Sequence, residues 1–114
     1  LDANGVSRDP AIVADYIADP LVYNGKITTG LGIEMLDAME VAIARAGEIT
    51  LPIYIAHGGA DVMAGPEGSQ AFFDALGAQD KTLDFWPDLY HEILNEPESE
   101  EVITRYVNWL ESHL

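Results

Sequence analysis

The sequence predicts an α/β fold, in which strands and helices alternate from residue 49 to the end of the 114-residue chain. The strand signal is strongest at Leu51 to Ala56, which is apolar at almost every position, as in an inner parallel strand covered on both faces. A helix-length segment separates it from a second strand pattern at Thr82 to Trp86. Since two strands alone cannot make a stable parallel sheet, we expect further strands from outside this chain.

The first 48 residues predict helices without strands. Asp9-Pro10 opens a short helix, because proline is favoured in a first helical turn, and Asp19-Pro20 ends it. A longer helix begins after the capping candidates Thr28 and Thr29 and stops near Gly47. We therefore divide the chain into a helical segment, 1–48, and an α/β segment, 49–114.

Proline and glycine also mark the boundaries of the later elements. Pro66-Glu67 start a helix that Gly77 closes, and Pro87 ends the second strand. The last helix is expected from about Glu98 to His113. Its apolar stripe, at helical spacing, consists of Val102, Ile103, Tyr106, Val107 and Leu110. We expect this helix to dock on the sheet.

The longer helix of the first segment carries apolar side chains at spacings of three and four. The ordinary interpretation of this stripe is core packing. The alternative is the lining of a pocket for an apolar ligand, formed by Leu31, Met35 and Met39, because methionine adapts to irregular apolar surfaces. The pattern leaves both interpretations open.

Two polar loops follow the two predicted strands. His57-Gly58-Gly59-Ala60-Asp61 comes after the first, and Tyr90-His91-Glu92 comes after the second. Ligand chemistry in parallel sheets concentrates at the carboxyl ends of strands, where these loops lie. An acid in one loop can orient an imidazole in the other, which can then deprotonate a hydroxyl nucleophile. Asp61 and His91 are therefore candidate catalytic residues; the alternatives are a turn-forming aspartate and a surface histidine.

The neighbouring polar residues favour structural roles. His57 is expected to pack at the strand end, and Glu92 and Glu96 are expected to support the loop by hydrogen bonding or helix-start charge. Histidines at positions 57, 91 and 113 show no metal-ligand spacing, so we expect neither a metal nor another cofactor. The absence of cysteine excludes a disulfide framework and a thiolate nucleophile.

The net charge of the chain limits the classes of partner that it can bind. Twenty acidic residues against five basic ones give a net charge of −15, which argues against nucleic-acid binding. The acidic residues are spread along the chain, as on a solvated surface. The sequence contains neither a signal-peptide pattern nor an apolar run of membrane length. We expect a cytoplasmic or membrane-peripheral protein.

An ordered set of motifs resembles the C-terminal part of the monoacylglycerol lipases, which belong to the α/β-hydrolase superfamily. The motifs are Val6-Ser7-Arg8-Asp9-Pro10, Asp19-Pro20-Leu21-Val22, Leu51-Pro52 through Asp61, Glu67-Gly68-Ser69, and Tyr90-His91-Glu92-Ile93-Leu94-Asn95-Glu96-Pro97. The resemblance implies that Asp61 is the acid and His91 the base of a Ser-Asp-His triad, and that 1–48 is the later part of a helical cap or lid.

The serine of that triad is missing from the sequence. No G-x-S-x-G occurs, although the superfamily's nucleophile needs that strand-to-helix turn. Ser7 lacks a following glycine and a preceding strand, and Ser69 sits in a helix start. The resemblance therefore implies that the serine and the oxyanion-hole donors lie in an upstream, N-terminal part of the same hydrolase, which would be a partner of this segment.

The resulting hypothesis is a serine ester hydrolase that cleaves monoacylglycerols or related lipid esters, with transient contact to a lipid interface. Within the superfamily, the alternatives are a carboxylesterase, a lysophospholipase, or an epoxide or haloalkane hydrolase, the last two using an aspartate nucleophile. Outside enzymes, the alternative is a non-catalytic interaction module. Exposed apolar strand edges would argue against that reading.

Overall fold

The computed structural model describes residues 2–23 and 25–114 and confirms the alternating order of strands and helices. The elements are α1 (Pro10–Ala18), α2 (Thr29–Arg45), β1 (Ile53–Gly58), α3 (Pro66–Ala75), β2 (Lys81–Trp86) and α4 (Ser99–Glu111), with short 3-10 turns at Ala3–Gly5, Ala46–Glu48 and Ile93–Asn95. No helix in the described part of the chain is long and apolar enough to cross a membrane.

The helices of the first segment begin where their caps predict. The Asp9 carboxylate accepts a hydrogen bond from the backbone N–H of Ala11 at 2.8 Å, and proline occupies the first turn of α1. At the start of α2, the hydroxyl of Thr28 accepts from the N–H of Leu31 at 3.2 Å. Each cap satisfies a backbone donor that has no partner within the helix.

The strand β1 begins two residues later than the apolar run predicts. Pro52 has no N–H to donate, so the ladder starts at Ile53, whose N–H donates to the carbonyl of Asp80 at 3.1 Å. The strand extends instead to Gly58. Leu51 therefore lies outside the strand and is exposed.

In the described residues, β1 and β2 form a two-stranded parallel sheet with Ile53 opposite Lys81 and Gly58 opposite Trp86. Helix α3 packs on one face, where the rings of His57 and Phe85 lie 6.5 Å apart. The ammonium of Lys81 donates to two carbonyls at the end of α3, a favourable place for a cation.

Helix α4 packs on the opposite face. The Tyr106 ring meets Tyr54 of β1 edge to face at 5.0 Å, and Arg105 bonds the Asp84 carboxylate of β2 at 3.0 Å. A cluster of buried apolar side chains lies here and consists of Trp86, Leu89, Ile93 and Val102. The sheet therefore carries helices on both faces, with its core under the loop that contains position 91.

Much apolar surface remains outside this small core. Leu31, Met35 and Met39 of α2 are each exposed by about half, and so are three residues of the predicted α4 stripe, namely Ile103, Val107 and Leu110. Only Val102 of that stripe is fully buried, with Tyr106 partly so. Helix α4 thus docks on the sheet as expected, but in the described residues a sheet of two strands covers only part of its apolar stripe.

Candidate active site

Asp61 lies in the loop that leaves the carboxyl end of β1, with its side chain only 2% exposed. One carboxylate oxygen, Oδ1, accepts from the backbone N–H groups of Met63 at 2.7 Å and Ala64 at 3.0 Å. The other, Oδ2, lies 2.8 Å from Nδ1 of His91. Both carboxylate oxygens of Asp61 therefore have hydrogen-bond donors within reach.

These contacts decide the charge of Asp61. Burial raises the pKa of the carboxyl group, but hydrogen bonds from Ala64, His91 and Met63 outweigh it and hold the pKa below its ordinary value. Asp61 is therefore an anion at neutral pH. An anion at this position favours the tautomer of His91 that carries its proton on Nδ1.

The imidazole of His91 is held on one side and open on the other. Its side chain is 41% exposed, and within residues 2–23 and 25–114 no hydrogen bond engages Nε2. With Nδ1–H donating to Asp61, the lone pair of Nε2 is free to accept a proton. This is the arrangement of the acid and base of a hydrolytic triad.

A glycine makes the short distance between the two loops possible. A Cβ on Gly58 would collide with the carbonyl oxygens of Tyr90 and Leu89, and would lie 2.9 Å from the Leu89 carbonyl carbon. The N–H of Ala60 donates to the Leu89 carbonyl at 3.0 Å and joins the same two loops. The end of β1 therefore packs directly on the chain that precedes His91.

His57 contacts Asp61 as well, but in a different way. Its Nε2 lies 2.9 Å from the Ala64 carbonyl and 3.2 Å from Oδ2 of Asp61, and its Nδ1 lies 2.7 Å from the Ser69 hydroxyl. A carbonyl only accepts, so Nε2 of the neutral ring carries the proton and Nδ1 accepts from Ser69. The ring is 16% exposed and fastens the Asp61 loop to α3, in agreement with the expected structural role.

None of the four serines in the described residues bonds His91: three bond other groups, and Ser99 is the first residue of α4. The hydroxyl of Ser7 donates to the carbonyl of Asn95, that of Ser69 pairs with His57, and that of Ser112 donates to the carbonyl of Trp109. No group of three or more potential metal ligands occurs in the same part of the chain. The structure thus brings Asp61 and His91 together. The role of Leu31, Met35 and Met39 in substrate binding remains a prediction.

The pairing of Arg8 with Glu96 beside the site was not predicted from the sequence. Glu96 is buried and pairs with Arg8, whose Nε lies 2.8 Å from its carboxylate. The expectation that Glu96 supports the loop by hydrogen bonding agrees with this contact, but the partner lies 88 positions away. The Arg8 in the Val6–Pro10 motif was the available signal, and no spacing rule links it to Glu96.

A parallel sheet with helices on both faces, and with an aspartate and a histidine meeting at the carboxyl ends of neighbouring strands, is the arrangement of the C-terminal part of an α/β-hydrolase. A solved monoacylglycerol lipase from Paleococcus ferrophilus has the same fold, with a TM-score of 0.91 and 40% identity over 100% of this chain and 44% of its own. A soluble variant of Saccharomyces cerevisiae monoglyceride lipase gives a TM-score of 0.81 at 25% identity, over 100% of this chain and 42% of its own.

Sequence comparison agrees with the structural one. The monoacylglycerol lipase of Mycolicibacterium smegmatis is 39% identical over 100% of this chain and 41% of its own length. The family model described as serine aminopeptidase, S33, matches residues 1–98. The chain belongs to this family of hydrolases, and it spans about two-fifths of the length of the lipases named here.

Proposed function

We propose that this chain supplies the acid and the base of a serine ester hydrolase that releases fatty acid and glycerol from monoacylglycerols. Asp61 is the acid and His91 is the base. The contact of 2.8 Å between Oδ2 of Asp61 and Nδ1 of His91, with Nε2 of His91 open, carries the proposal. The names of the lipases that resemble the chain support the choice of substrate.

The proposed reaction uses His91 twice. Nε2 takes the proton of a serine hydroxyl as its oxygen attacks the ester carbonyl, and returns this proton to the departing glycerol oxygen. Water then attacks the acyl-enzyme, Nε2 takes its proton, and the serine is regenerated with release of the fatty acid. Throughout, the anion of Asp61 orients the imidazole and stabilises the imidazolium that forms in each half-reaction.

The serine is proposed to come from an upstream part of the same protein. Two observations support this: the chain spans about two-fifths of the related lipases, and a two-stranded sheet leaves large apolar side chains uncovered. A parallel sheet of this kind is stable when further strands pair with its edges and helices cover both faces. The upstream part would supply those strands together with the nucleophile and the oxyanion hole.

Helix α2 is the proposed place of acyl-chain binding. Leu31, Met35 and Met39 present a half-exposed apolar stripe, which suits a flexible hydrocarbon chain. We assign residues 1–48 to the later part of a lid that makes transient contact with lipid. The family description names a peptidase, and a triad serves both reactions, so the ester preference rests on the related lipases.

The proposal is tested by measuring the intact mass of the purified protein under denaturing conditions, before and after exposure to a fluorophosphonate that labels activated serines. We expect the label on the serine-bearing part, either in one longer polypeptide or in a second one, and none on the 12.4-kDa chain itself. A label located on Ser69 by peptide mapping would instead identify the Ser69–His57 pair as the reactive site and would contradict the proposal.

The matched variant is His91→Ala in the protein that contains the serine. We expect loss of monoacylglycerol turnover and of labelling, with unchanged folding, because the base is missing while an exposed side chain is truncated. Normal labelling in this variant would refute the role of His91. Hydrolysis of an epoxide or a haloalkane by a protein without a labelled serine would favour the hydrolases that use an aspartate nucleophile.

A further inference from the structure

A buried carboxylate lies at the far end of the loop that carries His91. The Glu96 side chain has no exposed surface. Its Oε1 accepts from the N–H of Tyr90 at 2.9 Å and from the N–H of Arg8 at 3.2 Å, and its Oε2 accepts from Nε of Arg8 at 2.8 Å. One side chain therefore joins Arg8 to the residue immediately before His91.

The backbone strengthens this connection on both sides of His91. The N–H of Glu92 donates to the Val6 carbonyl at 2.9 Å, and the N–H of His91 faces the Gly5 carbonyl at 3.4 Å. The Ser7 hydroxyl donates to the Asn95 carbonyl at 2.9 Å. Positions 5–8 thus run along the loop of residues 90–96 and bond to both of its ends.

The pairing of Arg8 with Glu96 has the properties of a fixed contact. A buried carboxylate is tolerated when it is paired and its oxygens are hydrogen-bonded, and all three donors reach Glu96 here. The hydrogen bond to Glu96 raises the pKa of Arg8, so the guanidinium stays charged. Arg8 also pairs with the more exposed Glu98.

We infer that Arg8 and Glu96 are positioning residues for the base of the triad. Together they fix the loop of residues 90–96, so that Nδ1 of His91 stays within hydrogen-bond distance of Asp61 and Nε2 keeps its direction toward the serine. The inference rests on the proposed function and adds Arg8, from the helical segment, to the parts that catalysis needs. A displacement of about 1 Å in a reacting group can cost about 100-fold in rate.

The test uses Glu96→Gln in the protein that carries both this chain and the serine. The amide replaces one acceptor by a donor, which then faces either the Tyr90 N–H or the Arg8 guanidinium, so one side of the contact is lost. Active sites are counted by stoichiometric fluorophosphonate labelling, and kcat per labelled site and KM are measured with a short, soluble ester. We expect kcat to fall about 10- to 100-fold with KM changed less than about twofold.

Two comparisons separate positioning from general stability. Glu101→Gln removes an exposed carboxylate from another arginine pair and is expected to leave kcat within about twofold. Arg8→Lys keeps a cation within reach of the buried Glu96 carboxylate and is expected to retain most of the activity, whereas Arg8→Ala leaves that carboxylate without its cation and should lose as much as Glu96→Gln does. A merely structural role would lower the number of labelled sites or the melting temperature, while kcat per site stayed normal.

The outcomes are distinct from those of the proposed function. If His91→Ala is inactive while Glu96→Gln and Arg8→Ala turn over normally per labelled site, the positioning inference is wrong and the triad assignment stands. If Glu96→Gln does not fold, the test is the comparison of kcat per labelled site between Arg8→Ala and Arg8→Lys. Equal values in these two variants overturn the positioning inference. Turnover by His91→Ala refutes the proposed function itself.

Discussion

Replacing Asp61 by asparagine tests the assigned acid with the smallest possible change in shape. Oδ1 faces two backbone N–H donors, from Met63 and Ala64, so the amide oxygen must take this side. The amide NH2 then faces Nδ1 of His91, which must accept. The ring proton moves to Nε2, the nitrogen that is needed as the base.

The expected loss can be worked out from this geometry. An imidazolium and a carboxylate about 4 Å apart between charge centres attract by about 4 kcal/mol at an effective dielectric constant of about 20, an upper value for a partly exposed ring. The unfavourable tautomer adds the loss of a charged hydrogen bond, about 1.5 kcal/mol. Since about 1.4 kcal/mol is a factor of ten, kcat should fall by up to about 10⁴.

The assay measures kcat with a soluble ester and the rate of fluorophosphonate labelling, in the protein that carries the serine. Both should fall together in Asp61→Asn, because both need a deprotonated serine. Asp88→Asn is the matched control, since Asp88 is exposed in the loop that leads to His91. A loss below tenfold in Asp61→Asn, with Asp88→Asn normal, would refute the reasoning.

Two further predictions concern stability. Gly58→Ala should lower the free energy of unfolding by about 1–3 kcal/mol, because the new Cβ collides with two carbonyl oxygens. Gly68 lies in α3 with open space around it, so Gly68→Ala should raise the free energy of unfolding by up to about 1 kcal/mol. Urea unfolding measures both changes, and equal effects of the two variants would contradict the prediction. The backbone hydrogen bond to Trp109, and then the Asp80 carboxylate, raise the pKa of His113. A histidine whose pKa is raised by folding stabilises the fold fully at a pH below its ordinary pKa, and this stabilisation is lost as the pH rises through the pKa of the folded state. The difference in free energy of unfolding between the wild type and His113→Gln should therefore be larger at pH 5.5 than at pH 9. A difference independent of pH would show that His113 does not titrate in this contact.

Local signals in the sequence were sufficient for the elements themselves. The ends of α1 follow from Asp9-Pro10 and Asp19-Pro20, and the start of α2 follows from Thr28, because capping and proline act within one turn of the helix. Where a signal was apolar content alone, the boundary moved: β1 begins at Ile53, since Pro52 cannot donate to the ladder.

The candidate acid and base could also be selected from the sequence, because each polar loop follows a strand. The sequence also predicted that the two meet as acid and base, but their distance and orientation depend on the parallel register that places Gly58 opposite Trp86 and on the close approach that Gly58 allows. The sequence contains three histidines and twenty acidic residues, and composition does not pair them.

The sequence by itself thus determined the alternation of strands and helices, the two loops and the residue types that they carry. Only the tertiary structure decided the distance and orientation at which Asp61 meets His91, and it alone showed that His57 meets Ser69 and that Arg8 meets Glu96. The physical reason is the distance along the chain over which each interaction acts. Caps and periodicity act over a few residues, whereas these contacts depend on strand register and on how the loops and flanking helices pack on the sheet.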